Sequence, residues 1–123
     1  MGGLMNADLE KLRDDVRAFA AERDWEQFHT PKNLVMALAV ESAELMEHFQ
    51  WLTPDQSVNL NQEAKGKVAE EIADVLIYLV RLSDILGVDL LDAAFNKMGL
   101  NRAKYPVNLS KGLATKYTEL GKE

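Results

Sequence analysis

Apolar residues recur along the chain at steps of three and four, and no segment alternates with period two. That pattern predicts helices and no sheet. The first helix is expected from about Asp8 to Arg23, with Asn6 or Asp8 as its N-cap and Leu9, Leu12, Val16, Phe19 and Ala20 as its stripe. Residues 24–29, DWEQFH, interrupt the pattern. Thr30–Pro31 then pairs a hydroxyl cap with a proline at the first helical position. The second helix is expected to run to about Trp51, its core side marked by Leu34, Leu38, Leu45 and Phe49. Thr53–Pro54–Asp55 opens a polar connection with room for a short helical turn. A third helix should span about Gln62 to Leu86 and stop at Gly87, with Val68, Ile72, Val75, Leu79 and Leu82 on one face and Ile77 at the back. Apolar residues on more than one face imply burial on both, hence packing against another subunit. Asp89 can cap a fourth helix to about Lys104, carrying Leu90, Leu91, Ala94, Phe95 and Met98, and Tyr105–Pro106 ends it. The tail, residues 106–123, has no clear period.

The expectation is an all-α, four-helix-bundle-like single domain over residues 1–123, with an irregular C-terminal tail. A length of 123 residues suits one domain. With no cysteine, disulfides, thiolate zinc sites and a cysteine nucleophile are excluded, and a reducing cytoplasm is the expected location. No stretch approaches the ~20 apolar residues of a membrane span, and the N-terminus lacks a basic region followed by an apolar one, so no secretory signal is expected. The 14 basic and 20 acidic residues give a formal net charge of −6. That charge argues against nucleic-acid polymers and anionic membranes as partners.

The placement of the acids changes the picture. At ~100° per residue, with Leu34 at zero, Glu41 falls at about 340°, inside the apolar stripe, and Glu44 at about 280°, at its edge. With Val68 at zero, Glu71, Tyr78 and Asp74 fall at about 300°, 280° and 240°, on one flank of the core face, whereas Glu70 lies outside it at about 200°. Two helices thus each offer an i, i+3 acid pair turned toward the core. Like charges among leucines are costly unless a cation compensates. A hard divalent ion, Mg²⁺ or Mn²⁺, takes all-oxygen ligands in that way. Taken singly, such pairs are common as solvated faces or helix-pair salt bridges. A di-iron bundle does not fit, since neither His29 nor His48 follows a Glu by three. There is no GxxxxGK[ST] loop and no HExxH.

Glu41-Ser-Ala-Glu44 followed by Glu71-Ile-Ala-Asp74 resembles the ExxE…ExxD signature of MazG-like all-α nucleoside triphosphate pyrophosphohydrolases. The segments FAAERDWEQFHTPKNLVMAL, AELMEHFQW, EEIADVLIYLVRL and KMGLNRAKYPV are similar to the dCTP pyrophosphatase branch, over roughly residues 8–120. The sequence departs from the wider family at Val40, where a further Glu is frequent, and at Val16, where some members carry a His near the base.

The resemblance implies hydrolysis of a nucleoside triphosphate between its α and β phosphates, with deoxycytidine triphosphate and its 5-substituted analogues as substrates. It implies Glu41, Glu44, Glu71 and Asp74 as metal ligands and catalytic residues, with Mg²⁺ as the ion. It places Trp25, Glu26, Gln27, Phe28, His29, Trp51 and Tyr78 at the base. Tryptophans at helix ends can stack on a base, or simply pack. Lys97, Asn101 and Lys104, with Arg102 and Tyr105 nearby, are candidates for the phosphates, although a basic helix C-terminus also suits the helix dipole. A homotetramer built from dimers is implied as well. The alternatives are a dUTP-directed or broad-specificity pyrophosphatase, and a non-catalytic helical module that binds nucleotides or partners.

Overall fold

The computed structural model describes residues 7–122. Among them are six α-helices and two 3₁₀ turns, and no strand. Helix α1 is Ala7–Glu22, α2 is Pro31–Glu47, α3 is Pro54–Val58, α4 is Gln62–Leu86, α5 is Leu90–Lys104 and α6 is Val107–Ser110. The 3₁₀ turns are Glu26–Phe28 and Tyr117–Glu119. Residue 6, one of the two candidate caps of α1, lies outside the described residues.

The helix ends follow from local chemistry. Thr30 Oγ1 accepts from the Asn33 N–H at 3.2 Å and Pro31 opens α2. Thr53 and Gln56 form a reciprocal capping box at α3. Asn61 caps α4, its Oδ1 accepting from Ala64 N–H at 2.8 Å. Gly87, at φ 68°, ends α4 in the left-handed region, and Val88 N–H closes back on Ser83 C=O at 2.8 Å. Asp24 ends α1 in the same way, at φ 54° without being glycine, with Trp25 N–H donating to Ala20 C=O at 2.9 Å. This turn fixes the backbone of Trp25.

The described chain divides into two compact units, one through Val88 and one from Asp89 onward. In the first, α4 packs on α2 and on α1. The core consists of Ala20 from α1, Leu34 from α2, and Val68 and Val80 from α4, all buried. Burying a leucine of this kind contributes about 2 kcal/mol or more. In the second unit, the tail folds back on the end of α5: Tyr105 and Tyr117 meet edge to face at 6.0 Å and Lys104 Nζ sits 4.8 Å from the Tyr117 ring centroid.

Three details differ from the periodicity reading. Helix α2 ends at Glu47 rather than Trp51, because the backbone tightens to i→i−3 bonds, His48 N–H to Leu45 C=O and Phe49 N–H to Met46 C=O, on its way to the Thr53 cap. Ile72, placed on the core stripe, is 54% exposed, since the buried side of α4 is shared between two partner helices. The tail is more regular than expected, because Pro106 starts the short helix α6. Val35, Met36, Val40 and Met46 on α2 are at least half exposed along with Ile72.

Candidate active site

The α2–α4 pairing brings the two acid motifs together. One oxygen each from Glu41, Glu44 and Glu71 lies within 4.8 Å of the others. All three side chains are half-buried. Glu41 Oε2 and Glu71 Oε2 are buried with no hydrogen-bond partner. A buried carboxylate oxygen without a donor is costly. Burial, then a hydrogen bond with Glu44, then the charges of Glu44, Asp74 and Glu71 push the Glu41 carboxyl up to about 7. Three converging carboxylates with orphaned buried oxygens fit a hard divalent cation, which would satisfy the oxygens and cancel their repulsion. His48 stands at the edge, its Nε2 4.0 Å from Glu71 Oε1.

Asp74, one turn along α4 from Glu71, is outside that tight triplet, yet its charge acts on both Glu41 and Tyr78. Burial first, then the charges of Glu41, Asp74 and Glu44, raise the Tyr78 hydroxyl. Asp74 and Tyr78 also face a neighbouring cavity of about 320 Å³. Its walls are largely apolar, from Leu12, Val16 and Phe19 of α1, Trp25 and His29 of the following loop, and Ile77 of α4, with Asp15 and Arg81 as further polar groups. That volume is at the lower end for small-molecule sites. The Trp25 ring meets Phe19 edge to face at 5.6 Å, and Arg23 lies over the other ring's π-face, 3.7 Å from the Phe19 centroid.

A polar chain backs the cavity. Arg81 Nε donates to His29 Nδ1 at 3.0 Å, and Arg81 Nη1 is 3.6 Å from Asp84 Oδ2. Arg17 grips the same Asp84 with two nitrogens, Nε at 2.6 Å from Oδ2 and Nη2 on Oδ1. The Arg17 hydrogen bond, assisted by Arg17 and Arg81 charges, holds the Asp84 carboxyl below its ordinary range. Burial and the Arg81 charge keep His29 below its ordinary value.

Glu26 borders a separate surface hollow with Arg17 and Asp84. Gln27 bonds back to Asp24, and the Phe28 carbonyl accepts from Asn33. Trp51 is 86% exposed, outside the cavity. Lys97, Asn101, Lys104 and Tyr105 belong to the second unit. Sequence reading passed over Arg81, although it sits at about 220° on the α4 wheel, on the same flank as Asp74 and Tyr78. A charged residue between Asp74 and the apolar Ile77 on the helix wheel was the available signal.

A family model described as MazG-like matches residues 36–120, which hold both acid motifs and most of α2 through the tail. The chain belongs to the MazG-like family. This MazG-like chain is 50% identical over 114 residues to dCTP pyrophosphatase 1 of Rattus norvegicus and 47% identical over 114 residues to dCTP pyrophosphatase 1 of Homo sapiens. Each alignment spans 91% of this chain and 67% of the relative. A pyrophosphatase crystal structure from Archaeoglobus fulgidus superimposes with a TM-score of 0.78 at 43% identity, over 83% of this chain and 95% of that one.

Proposed function

We propose that this MazG-like chain is a Mg²⁺-dependent nucleoside triphosphate pyrophosphohydrolase that converts dCTP and 5-modified deoxycytidine triphosphates to the monophosphate and pyrophosphate. The observation that carries the proposal is the meeting of Glu41, Glu44 and Glu71 beside a largely apolar cavity that shares Asp74 with their electrostatic field. The names of the relatives support the same substrate class.

Glu41, Glu44, Glu71 and Asp74 would hold the Mg²⁺. When bound, the ion screens and polarises the triphosphate. The chain's own residues then do three things. Trp25 and Tyr78 supply ring faces to the base, and His29 a polar edge, inside the cavity. Asp74, at the junction, ties base position to phosphate position, so the scissile bond is aligned when the base is seated. A carboxylate of the acid group accepts the proton of the attacking water. Lys97, Asn101 and Lys104 are proposed phosphate contacts, Arg102 and Tyr105 lying beside them on the chain, and Glu26–Phe28 and Trp51 are proposed to complete the base site.

The exposed apolar residues of α2 and α4 support assembly of the chain with copies of itself, as a dimer of dimers. No helix among the described residues is long and apolar enough to cross a membrane. A cytoplasmic nucleotide-pool role follows from the proposed substrate. The test is pyrophosphate release from a panel of nucleoside triphosphates with Mg²⁺ and with chelator. Comparable rates on dUTP would support the broad-specificity alternative, and no turnover on any member would support a binding module.

A further inference from the structure

We propose that Arg81 is a positioning residue that selects cytosine over uracil by fixing the tautomer of His29. The inference rests on reading the cavity as a nucleoside site. Arg81 is 5% exposed, and its guanidinium can only donate hydrogen bonds. Its Nε–H reaches His29 Nδ1 at 3.0 Å, so Nδ1 must present a lone pair. The neutral ring then carries its single proton on Nε2. Both His29 and Arg81 line the cavity that Trp25, Asp74 and Tyr78 border. Arg81 is itself held: Asp84 Oδ2 lies 3.6 Å from Nη1, and the same carboxylate is gripped by Arg17.

A neutral imidazole free of this contact exchanges between two tautomers. In one, Nε2 is a donor; in the other, it is an acceptor. Cytosine offers an acceptor at ring N3, whereas uracil and thymine carry N3–H. The donor tautomer suits cytosine N3 and opposes the uracil N–H, and the acceptor tautomer suits uracil. By removing the second tautomer, Arg81 removes the uracil-compatible state of the pocket. Discrimination of this kind acts through an unpaired polar contact in the wrong complex, and about 10- to 100-fold is expected from it.

Two measurements on the full chain test this. The first is ¹⁵N NMR of the two imidazoles, with His29→Gln identifying the His29 signals. The wild type should carry its proton on Nε2, and Arg81→Met should show mixed tautomers. The second is kcat/KM for dCTP, dUTP and 3-deaza-dCTP, which lacks the N3 acceptor. The wild type should favour dCTP over the 3-deaza analogue by about 10- to 100-fold, expressed in KM rather than kcat. Arg81→Met should lose that preference together with most of the dCTP:dUTP ratio, and Arg81→Lys, which keeps a cationic donor, should recover part of it. A wild-type proton on Nδ1, or full turnover of 3-deaza-dCTP by the wild type, overturns the proposal even if Arg81→Met does not fold. Failure to hydrolyse any triphosphate would instead count against the activity. In that case the shift of the His29 signal with dCMP and its absence with dUMP would support the proposal, and equal responses would overturn it.

Discussion

Replacing Glu41 by Gln should make the metal-free protein more stable and the metal-loaded protein less so. In the triplet, carboxylate oxygens lie within 4.8 Å of one another. One pair of unit charges at that separation repels by about 3.5 kcal/mol at an effective dielectric of about 20, and by about 0.9 kcal/mol at the dielectric of water. The side chains are half-buried, so the net repulsion is about 1–2 kcal/mol. For a chain of this length each kcal/mol shifts Tm by about 4 °C, so Glu41→Gln should melt roughly 4–8 °C higher in chelator at pH 8. The effect should depend on pH with a definite sign. The Glu41 carboxyl is pushed up to about 7 from an ordinary 4.5, chiefly by burial and then by its acidic neighbours. A group with a raised folded pKa contributes stability that is complete below its unfolded value and is lost as pH rises through its folded value. The wild type without metal should therefore weaken between about pH 5 and pH 8, and Glu41→Gln should remove that slope. Near pH 5 the two melting temperatures should converge. With millimolar Mg²⁺ the wild type should gain several degrees at pH 8 and the variant little. The assay is thermal melting by circular dichroism at both pH values, with chelator and with Mg²⁺. A lower Tm for Glu41→Gln in chelator at pH 8, or equal stabilisation of both proteins by Mg²⁺, would rule out charge repulsion relieved by a metal in the triplet.

Four further outcomes follow from the same structure. Asp74→Asn should lower kcat/KM for dCTP by about a hundredfold or more in a pyrophosphate-release assay, since one residue serves both the acid group and the cavity. Asp84→Asn should cost about 3 kcal/mol in urea unfolding at neutral pH, because Arg81 loses its buried partner; Arg17 holds the Asp84 carboxyl below its ordinary 3.8, so this loss should shrink as pH falls through that range. Leu34→Ala, at a site 2% exposed, should destabilise by about 2–5 kcal/mol in the same measurement. Met36→Glu, on the exposed apolar face of α2, should reduce the assembly measured by sedimentation, and an unchanged mass would count against self-association through that face.

Much of the fold was legible because helix signals are local. The Thr30–Pro31 start, the Asp89 cap and the Gly87 stop each act within a few residues, and α4 and α5 have the expected bounds. The end of α2 was not legible, since residues 48–52 hold no Gly or Pro and continue the apolar pattern while the backbone turns toward Thr53. The acid group was readable as two faces, because i, i+3 spacing fixes direction on each helix. That Glu41, Glu44 and Glu71 approach so closely depends on how α2 packs on α4, which no single-helix pattern contains. The same limit hid the link from Arg81 to His29, 52 residues away in the chain. Ile77, at the back of α4, lines part of the cavity wall.

The proposed reaction is a cut between the α and β phosphates that depends on the acid group. Product analysis of dCTP hydrolysis by ³¹P NMR tests it most directly. With Mg²⁺ the products should be dCMP and pyrophosphate in equal amounts, with no reaction in chelator and none with Glu44→Gln. Release of orthophosphate with dCDP, or undiminished pyrophosphate release by Glu44→Gln, would contradict it.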